Sequence, residues 1–387
     1  MTDPAIDTIV CFSITEWSAM PQNSHHLMRE AARRGYRVLY IDPLGLRRIR
    51  LQRKDIAKFF RRLRQASHPL VSVEDRINRL TPIGIPFQDT RFGAALNGRL
   101  LGVQIRRALW KMDARRSLLW SYSPHFLDLR SSLGSDLSLY YRVDDYTTAP
   151  QINLSYIEKQ EASAVELADL CIAANTQSAE VLASARNRIL VPNGIDLSVY
   201  GEEVLDEDPT PDVGHPRLLF AGTFDTWVDT GLLRELALAH PDWSIVLAGE
   251  VKIPLESVTE LPNVHFLGLL PYDELPALMA HCDVGMVPYF VNRFTTSACI
   301  GKIYQFLAMG LPVISTPVLS PSDYGDHVVC APTDADAFGE AIATLLAEDN
   351  REKKASRRNY ALQQTWAARF DAIESEIERL LAEKCIN

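Results

Sequence analysis

The chain of 387 residues lacks several features that would place it in a special structural class. No uninterrupted apolar run of 18 residues occurs, so a transmembrane helix is not expected. The N-terminal segment has neither a basic start nor a long apolar stretch, so a signal peptide is not expected and a cytoplasmic protein is the default expectation. The six cysteines are scattered without a CxxC pair, which argues against a disulfide framework or a zinc site. The sequence also contains no GxxxxGK[ST] loop, which argues against a P-loop NTPase.

The composition that remains is typical of a globular protein, with 47% apolar and 23% charged residues. The length exceeds what one hydrophobic core usually serves and favours two domains. The formal net charge of −9 conceals an asymmetry between the two halves. Residues 1–196 contain 27 Lys and Arg against 20 Asp and Glu, whereas residues 197–387 contain 13 against 29. This asymmetry suggests that the N-terminal half has an anionic partner.

The most basic segment spans residues 47–64 and contains one acid, Asp55. Apolar residues recur in it near helical spacing, as in a basic amphipathic helix that binds an anionic inner-leaflet membrane surface. A solvated helix with its apolar face on the core is the alternative. Nucleic acid is not expected as a partner, because no recognition motif accompanies the charge. The nine basic residues expected to contact the membrane are Arg47, Arg48, Arg50, Arg53, Lys54, Lys58, Arg61, Arg62 and Arg64.

Strand-like and helix-like segments alternate along the chain, which predicts an α/β fold with two Rossmann-like, doubly wound parallel sheets facing a cleft. We expect an N-terminal domain at 1–200. An acidic segment rich in Pro and Gly at 201–216 is typical of a linker. A C-terminal domain follows at 217–387, with a last helix at about 350–383.

Three segments from residue 191 onward are candidates for binding a ligand. The turn VPNGID at 191–196 has a glycine, Gly194, that permits close backbone approach, although ordinary turns look the same. FAGTF at 220–224 has Gly222 and Thr223 directly after a strand, where backbone N–H groups can face a phosphate. In a helix predicted at 297–309, Ser297 can serve as the N-cap, and Lys302 and Gln305 share a face near a diphosphate. An ordinary helix with a surface lysine is the alternative.

Two segments of the first half could supply catalytic groups. YYRVDDY at 140–146 ends a predicted strand with Asp144 and Asp145, which point in opposite directions. One of them could accept a proton from a sugar hydroxyl, although a helix N-cap is an equally ordinary role for aspartate. His25 follows the first strand and could act as a base or bind phosphate, or it could be structural.

Taken in order, these motifs together with NVHFLGLLPYDELPALMAHCDVGMVPY at 263–289 and KIYQFLAMGLPVIST at 302–316 resemble GT-B glycosyltransferases of the family-4 type. The resemblance spans roughly residues 8–380 and implies that the C-terminal helix returns toward the N-terminal domain. It also implies that the domain at 217–387 binds the nucleotide-sugar, while the domain at 1–200, with its basic segment, faces the membrane and the acceptor substrate. Retaining members have two glutamates at the positions of Ser297 and Gln305. Lys302-x-x-Gln305 is instead similar to the inverting xanthan-type β-glucuronosyltransferase, as is YYRVDDY followed by SYIEKQ. The glutamate that this enzyme has after its FLG-like strand is Leu269 here, so a donor other than a glucuronate is implied.

The resemblance implies a role for each matching residue. Asp145 matches the catalytic base and Asp144 lies beside it, while His25 matches a histidine of the first helix. Residues implied to bind the donor and its diphosphate are Gly222, Thr223, Tyr289, Ser297, Lys302 and Gln305.

The implied reaction is inverting transfer from a UDP-sugar to a polyprenyl-diphosphate-linked glycan in polysaccharide or glycolipid assembly, without a metal or other cofactor. Two alternatives stay open. A GT-B nucleotide-sugar epimerase would not need the basic segment. A non-catalytic nucleotide-sugar-binding partner in a synthase complex would explain Ser297 and Gln305.

Overall fold

The computed structural model describes residues 6–43, 69–84, 91–145, 154–201, 207–318 and 321–386. The basic segment at 47–64 therefore lies outside the described residues. The chain forms two compact units. The N-terminal unit comprises Met1–Ala174, Ser178–Val191 and Arg369–Asn387, and the C-terminal unit comprises Asn175–Gln177 and Pro192–Ala368.

Strands and helices alternate through most of the described chain. The strands are β1 (Thr8–Phe12), β2 (Arg37–Ile41), β3 (Leu70–Glu74), β4 (Ile77–Leu80), β5 (Ser117–Ser121), β6 (Leu137–Arg142), β7 (Leu170–Ala173), β8 (Arg188–Leu190), β9 (Arg217–Ala221), β10 (Ser244–Ala248), β11 (Val264–Phe266), β12 (Val284–Val287), β13 (Val313–Ser315) and β14 (Val328–Cys330). The helices are α1 (Asn23–Arg33), α2 (Arg91–Lys111), α3 (Leu129–Leu133), α4 (Leu154–Leu167), α5 (Thr176–Val181), α6 (Leu197–Tyr200), α7 (Thr230–Ala239), α8 (Glu256–Thr259), α9 (Leu275–Ala280), α10 (Arg293–Thr296), α11 (Lys302–Ala308), α12 (Pro321–Tyr324), α13 (Ala335–Glu348), α14 (Arg351–Gln363) and α15 (Trp366–Ile386).

The N-terminal unit is built on an eight-stranded sheet in the order β3-β4-β2-β1-β5-β6-β7-β8. All neighbouring strands are parallel except β3 and β4. Every residue of β1, β5 and β6 is buried, as expected for central strands covered on both faces. Leu101 and Ile105 of α2 pack with Leu119 and Tyr140 in one of its cores. The carboxyl ends of β5 and β6 therefore occupy fixed positions at one edge of this sheet.

The C-terminal unit is built on a six-stranded, wholly parallel sheet in the order β11-β10-β9-β12-β13-β14. β9 and β10 are buried along their whole length. The strand order changes direction at β9, between β10 and β12. In sheets of this kind, ligands bind beyond the carboxyl ends of the strands at such a switch point. The predicted α/β fold with two parallel-sheet domains is confirmed.

Two strands of the N-terminal unit were not expected from the sequence. β3 and β4 form an antiparallel pair at the edge of the sheet, and β3 has no fully buried residue. An edge strand is buried on less of its surface, so it has a weaker apolar pattern than a central strand.

The prediction of a helix at 297–309 is wrong for the first half of that range. α10 ends before Ser297, and α11 begins only at Lys302. Side chains from distant segments bind the backbone in between. Asn175 donates to the Ser297 carbonyl, Asn193 donates to the Cys299 carbonyl, and the Ile300 N–H donates to the Tyr324 hydroxyl. These tertiary hydrogen bonds replace the helical ones that the sequence pattern favours.

The last helix predicted at about 350–383 is interrupted between Gln363 and Trp366. Ile195 donates its N–H to the Gln364 carbonyl at 2.7 Å and forms a parallel bridge with Thr365. A Cβ at Gly194 would lie 2.7 Å from the Trp366 nitrogen. Gly194 thus permits close approach of the protein's own backbone rather than of a ligand.

The boundary between the units also differs from the expected linker at 201–216. The N-terminal unit gives way to the C-terminal unit at Val191–Pro192. Among the described residues of the expected linker, Thr210 is buried. The Arg217 guanidinium donates to Asp208, Thr210 and the Val213 carbonyl. These contacts hold residues 208–213 against β9, so this described part of the segment is a packed loop.

Candidate functional site

Three glycines follow adjacent strands at the carboxyl edge of the C-terminal sheet. Gly222 follows β9, Gly249 follows β10, and Gly268 lies just beyond β11. Gly222 donates its N–H to the Ala248 carbonyl at 2.8 Å, and Gly249 donates to the Gly268 carbonyl at 2.7 Å. A Cβ at Gly249, whose φ is +148°, would collide with the Gly222 carbonyl. The strand ends are therefore packed closely enough to require glycine at Gly249.

The Lys302 ammonium lies against Gly222. Its Nζ is 4.4 Å from the ring centre of Phe220 and 5.4 Å from that of Tyr289. A Cβ at Gly222 would collide with this nitrogen, so the glycine makes room for it. The described part of the chain provides Lys302 with no salt bridge. The lysine is thus a cation held by aromatic rings, a position that leaves its charge available to an anion.

Tyr289 and Thr223 extend the same edge of the sheet. Tyr289 follows β12, and Thr316 fixes its backbone by accepting its N–H and donating to its carbonyl. Its ring contacts Phe220 edge to face, with the ring centres 6.2 Å apart. Thr223 is half-buried beside Gly222. The structure thus brings together four of the six residues expected to bind the donor.

The other two are placed differently. Ser297 is buried at the end of α10, and its hydroxyl donates to the Phe294 carbonyl at 2.9 Å. The prediction that Ser297 caps the helix bearing Lys302 is therefore wrong, because Gly301 occupies that position. Gln305 forms a hydrogen bond with Tyr272, whose pKa is raised to about 12 mainly by burial. Its side chain therefore has a partner within the protein.

A buried arginine organises the end of β6 in the N-terminal unit. Arg142 Nε donates to Glu161 at 2.8 Å, Nη1 donates to the Ser178 hydroxyl at 2.9 Å, and Nη2 lies 3.2 Å from Asp145 Oδ1. Tyr140 donates its hydroxyl to the same Glu161 at 2.7 Å. The Arg142 side chain is 1% exposed, so each of its nitrogens needs these partners.

The two adjacent carboxylates therefore differ in their surroundings. Asp145 is 5% exposed and paired with Arg142. Asp144 is partly exposed, and no hydrogen bond or ion pair of its side chain occurs in the described structure. Burial and the charge of Asp145 raise the pKa of Asp144, while Arg142 opposes that rise. Asp144 is thus the more exposed carboxylate of the pair, and its pKa is raised mainly by burial.

His25 has a structural role in this conformation. Its ring is buried, with Nδ1 accepting the Gln22 N–H at 3.1 Å and Nε2 lying 3.2 Å from the Glu16 carbonyl. The first contact is half of the capping box of α1 and requires Nε2 to carry the proton. Burial lowers the pKa of His25, which keeps the ring neutral. Both nitrogens are occupied, so the expected catalytic role of His25 is not supported by this geometry.

The sequence did not identify Glu161 or Ser178 as partners of the site. Glu161 lies on α4 and Ser178 on α5, 19 and 36 residues after Arg142. A buried arginine at the end of a central strand is the available signal, because an arginine is rarely buried without partners.

Two negative findings concern other classes of site. Within the described ranges, no group of three or more His, Cys, Asp or Glu side chains is placed to hold a metal ion. Among the described helices, none has the length and apolarity needed to cross a bilayer.

Comparisons with known proteins agree with the fold. Residues 215–348 match the family model described as Glycosyl transferases group 1. The chain is 26% identical over 285 residues to the Bacillus subtilis (strain 168) protein named "Putative teichuronic acid biosynthesis glycosyltransferase TuaH", covering 67% of this chain and 72% of that protein.

Solved structures resemble the chain over nearly its whole length. Anabaena HepE, crystallised with UDP-glucose, has a TM-score of 0.64 at 15% identity and covers 96% of this chain and 99% of its own. A glycosyltransferase from Rickettsia africae has a TM-score of 0.67 at 12% identity and covers 97% and 98%. Together with the group 1 match and the TuaH relative, these findings show that the chain is a glycosyltransferase with the GT-B fold.

Proposed function

We propose that this glycosyltransferase moves a sugar from a UDP-sugar to a polyprenyl-diphosphate-linked glycan in polysaccharide or glycolipid biosynthesis, with inversion and without a metal. The proposal that the donor is a UDP-sugar rests on the position of the Lys302 ammonium, which lies on the rings of Phe220 and Tyr289 at the carboxyl end of β9. The UDP-glucose complex of HepE and the teichuronic acid assignment of TuaH support the donor and the pathway.

In this proposal, Lys302 neutralises the leaving diphosphate while Gly222 and Thr223 allow it to approach the backbone. A lysine in a partly dry, preorganised position stabilises developing negative charge without having to reorganise. The helix that begins at Lys302 has only seven residues, and Ser297 does not cap it. The proposal therefore relies on the side-chain charge rather than on a helix terminus.

The carboxylates after β6 supply the general base. Inversion requires one group to accept the acceptor's hydroxyl proton as the oxygen attacks the anomeric carbon and UDP departs on the opposite side. Asp144 is the member of the pair that is partly exposed and has a raised pKa. Asp145 is held by Arg142 and keeps a negative charge beside Asp144. We therefore assign the base to Asp144 and a positioning role to Asp145, in contrast to the assignment implied by the sequence resemblance.

The donor is tested by a thermal-shift panel of UDP, GDP and ADP, each with and without EDTA. A ligand at 100 times its dissociation constant stabilises the folded state by about 2.7 kcal/mol, which a melting curve resolves. We expect UDP alone to stabilise the protein, and EDTA to leave that shift unchanged. Stabilisation by another nucleotide would contradict the UDP assignment, and loss of the shift in EDTA would contradict the metal-free mechanism.

The base assignment is tested by measuring transfer with Asp144→Asn and Asp145→Asn. We expect Asp144→Asn to lower kcat by about 100-fold or more, the ordinary contribution of a general base, with UDP affinity unchanged. Asp145→Asn should retain more activity at its optimal pH than Asp144→Asn. The reverse ranking, with both variants folded, would return the base role to Asp145.

A further inference from the structure

Helix α2 presents an exposed face that combines apolar and basic side chains. Leu100, Val103 and Trp110 lie on it and are 39%, 57% and 80% exposed. At 100° per residue these positions fall within about 80° of one another, so they form one stripe along the helix. The opposite face is occupied by Leu101 and Ile105, which are buried in the core. The exposed stripe is therefore not part of the packing that holds α2 to its sheet.

Basic side chains border this stripe on both sides. Arg99 and Arg106 lie along one border, Lys111 lies along the other, and Arg107 lies within the stripe, all four of them exposed. The whole helix contains five basic residues and no acidic residue. Among the described residues, the salt bridges of the N-terminal unit include none of these side chains. The described residues therefore provide no carboxylate partner for these charges, and the Arg106 guanidinium donates to the Ser132 carbonyl.

The loop after β4 extends the apolar stripe. Ile83 is 52% exposed and is tied to α2 by two hydrogen bonds with Gln104, each 2.9 Å long. These bonds join its backbone N–H and carbonyl to the Gln104 amide. The isoleucine is thus held beside Leu100 rather than folded into the core.

We propose that this face of α2, defined by Leu100, Val103, Trp110 and the bordering basic residues, docks the N-terminal unit onto an anionic lipid bilayer. A tryptophan with aliphatic neighbours enters the interfacial region of a bilayer, and the flanking arginines and lysine contact lipid phosphates. An anionic surface complements a helix with five positive and no negative side chains. The proposal deepens the membrane-linked acceptor of the proposed function and adds a binding surface separate from residues 47–64.

The test measures partitioning onto vesicles of phosphatidylcholine with 30 mol % phosphatidylglycerol, and onto phosphatidylcholine alone, at about 0.1 M salt, where charges act over about 10 Å. The apolar variant carries Val103→Ser and Trp110→Ser. The charge variant carries Arg99→Gln, Arg107→Gln and Lys111→Gln. A matched control carries Arg351→Gln, Lys353→Gln and Lys354→Gln on α14. It removes an equal number of positive charges from exposed positions of the C-terminal unit.

We expect the charge variant to lower the partition coefficient on the anionic vesicles by about 100-fold, from about 1 kcal/mol for each basic residue near the surface. The apolar variant should lower it on both kinds of vesicle, and the control should bind as the unmodified protein does. Equal binding by the unmodified protein and both α2 variants would overturn the proposal. So would dissociation of a dimer in either variant without lipid, which would identify the face as an interface between copies.

Tryptophan emission gives a second, local measurement. Trp110 is the exposed tryptophan, since the other five are half-buried or buried. Anionic vesicles should shift the emission of the unmodified protein to the blue, and Trp110→Phe should bind while losing that shift. A shift retained in Trp110→Phe would place the lipid contact elsewhere. UDP stabilisation measured on the same samples separates the two proposals, because loss of UDP binding in the unmodified protein contradicts the proposed function and leaves the vesicle result intact.

Discussion

Replacing Gly222 by alanine tests whether the Lys302 ammonium holds the donor diphosphate. The new Cβ would collide with Nζ and lie 3.2 Å from Cε of the lysine. The end of a lysine side chain moves more easily than backbone, so the fold should survive while the ammonium leaves its position over Phe220. The φ angle of Gly222 lies outside the left-handed region, so alanine adds no backbone strain.

The magnitudes follow from the two contacts that the ammonium makes or would make. The Lys302 Nζ lies 4.4 Å from the centre of the Phe220 ring. Loss of this cation–π contact should lower the free energy of unfolding by about 0.5–1 kcal/mol. A hydrogen bond to a charged group contributes about 1.5–3 kcal/mol, so a displaced ammonium should weaken UDP binding by roughly 10- to 150-fold. Isothermal titration with UDP resolves a change of this size.

A double-mutant cycle identifies the cause. UDP affinity is measured for Gly222→Ala, Lys302→Ala and the double variant, with Gly214→Ala as the control. A Cβ at Gly214 would meet only the Ser244 hydroxyl oxygen, at 3.8 Å, which is an ordinary contact. We expect the double variant to bind UDP no more weakly than Lys302→Ala alone. Additive losses would refute the reasoning, because Gly222 would then act through the backbone rather than through the lysine.

Three further perturbations probe the N-terminal unit. Asp145→Asn removes a charge that raises the pKa of Asp144, so the acidic limb of the kcat/KM profile should move to lower pH; a shift to higher pH would contradict the assigned base. Arg142→Ala leaves the buried Glu161 without its cation and should cost about 3–5 kcal/mol in urea unfolding, and a cost below about 1 kcal/mol would refute that pairing. His125 has a pKa lowered to about 4 by burial, so the unfolded chain takes up a proton first as the pH falls from 6.5 to 4 and stability declines. His125→Phe should reduce that decline in melting temperature, and an unchanged decline would show that other groups cause it.

The strands that the sequence predicted well are those buried on both faces. β9 and β10 each consist of five buried residues, most of them apolar, which is the pattern of a strand covered on both faces. The β3–β4 edge pair was missed because half-buried strands give a weaker signal. The fold class could therefore be predicted from the sequence, whereas the strands at the edge of the sheet could not.

The site was readable only where local sequence determines it. Gly222 and Lys302 were both selected, but their contact joins positions 80 residues apart and depends on how α11 meets β9. Ser297 was misassigned as an N-cap because Asn175, a residue 122 positions away, binds its carbonyl, and the helix bearing Lys302 begins only at Lys302. His25 was selected as a candidate base, yet its ring caps its own helix through Gln22, three residues before it.

A difference in electrostatic pairing separates the residues that hold the fold from those proposed to meet a ligand. Arg142 and Arg217 are nearly fully buried, and their guanidinium nitrogens are bonded to carboxylates, hydroxyls or carbonyls. Such groups help to hold the fold once every buried nitrogen has a hydrogen-bond partner. Their charges are then largely neutralised by those partners, so little of the charge can act on a substrate. Lys302 and Asp144 are partly exposed, and the described structure offers neither an ion pair. A charge kept near a protein surface without an ion-pair partner remains available to a ligand, and for this reason we propose Lys302 as the group that binds the diphosphate and Asp144 as the group that accepts the acceptor's proton.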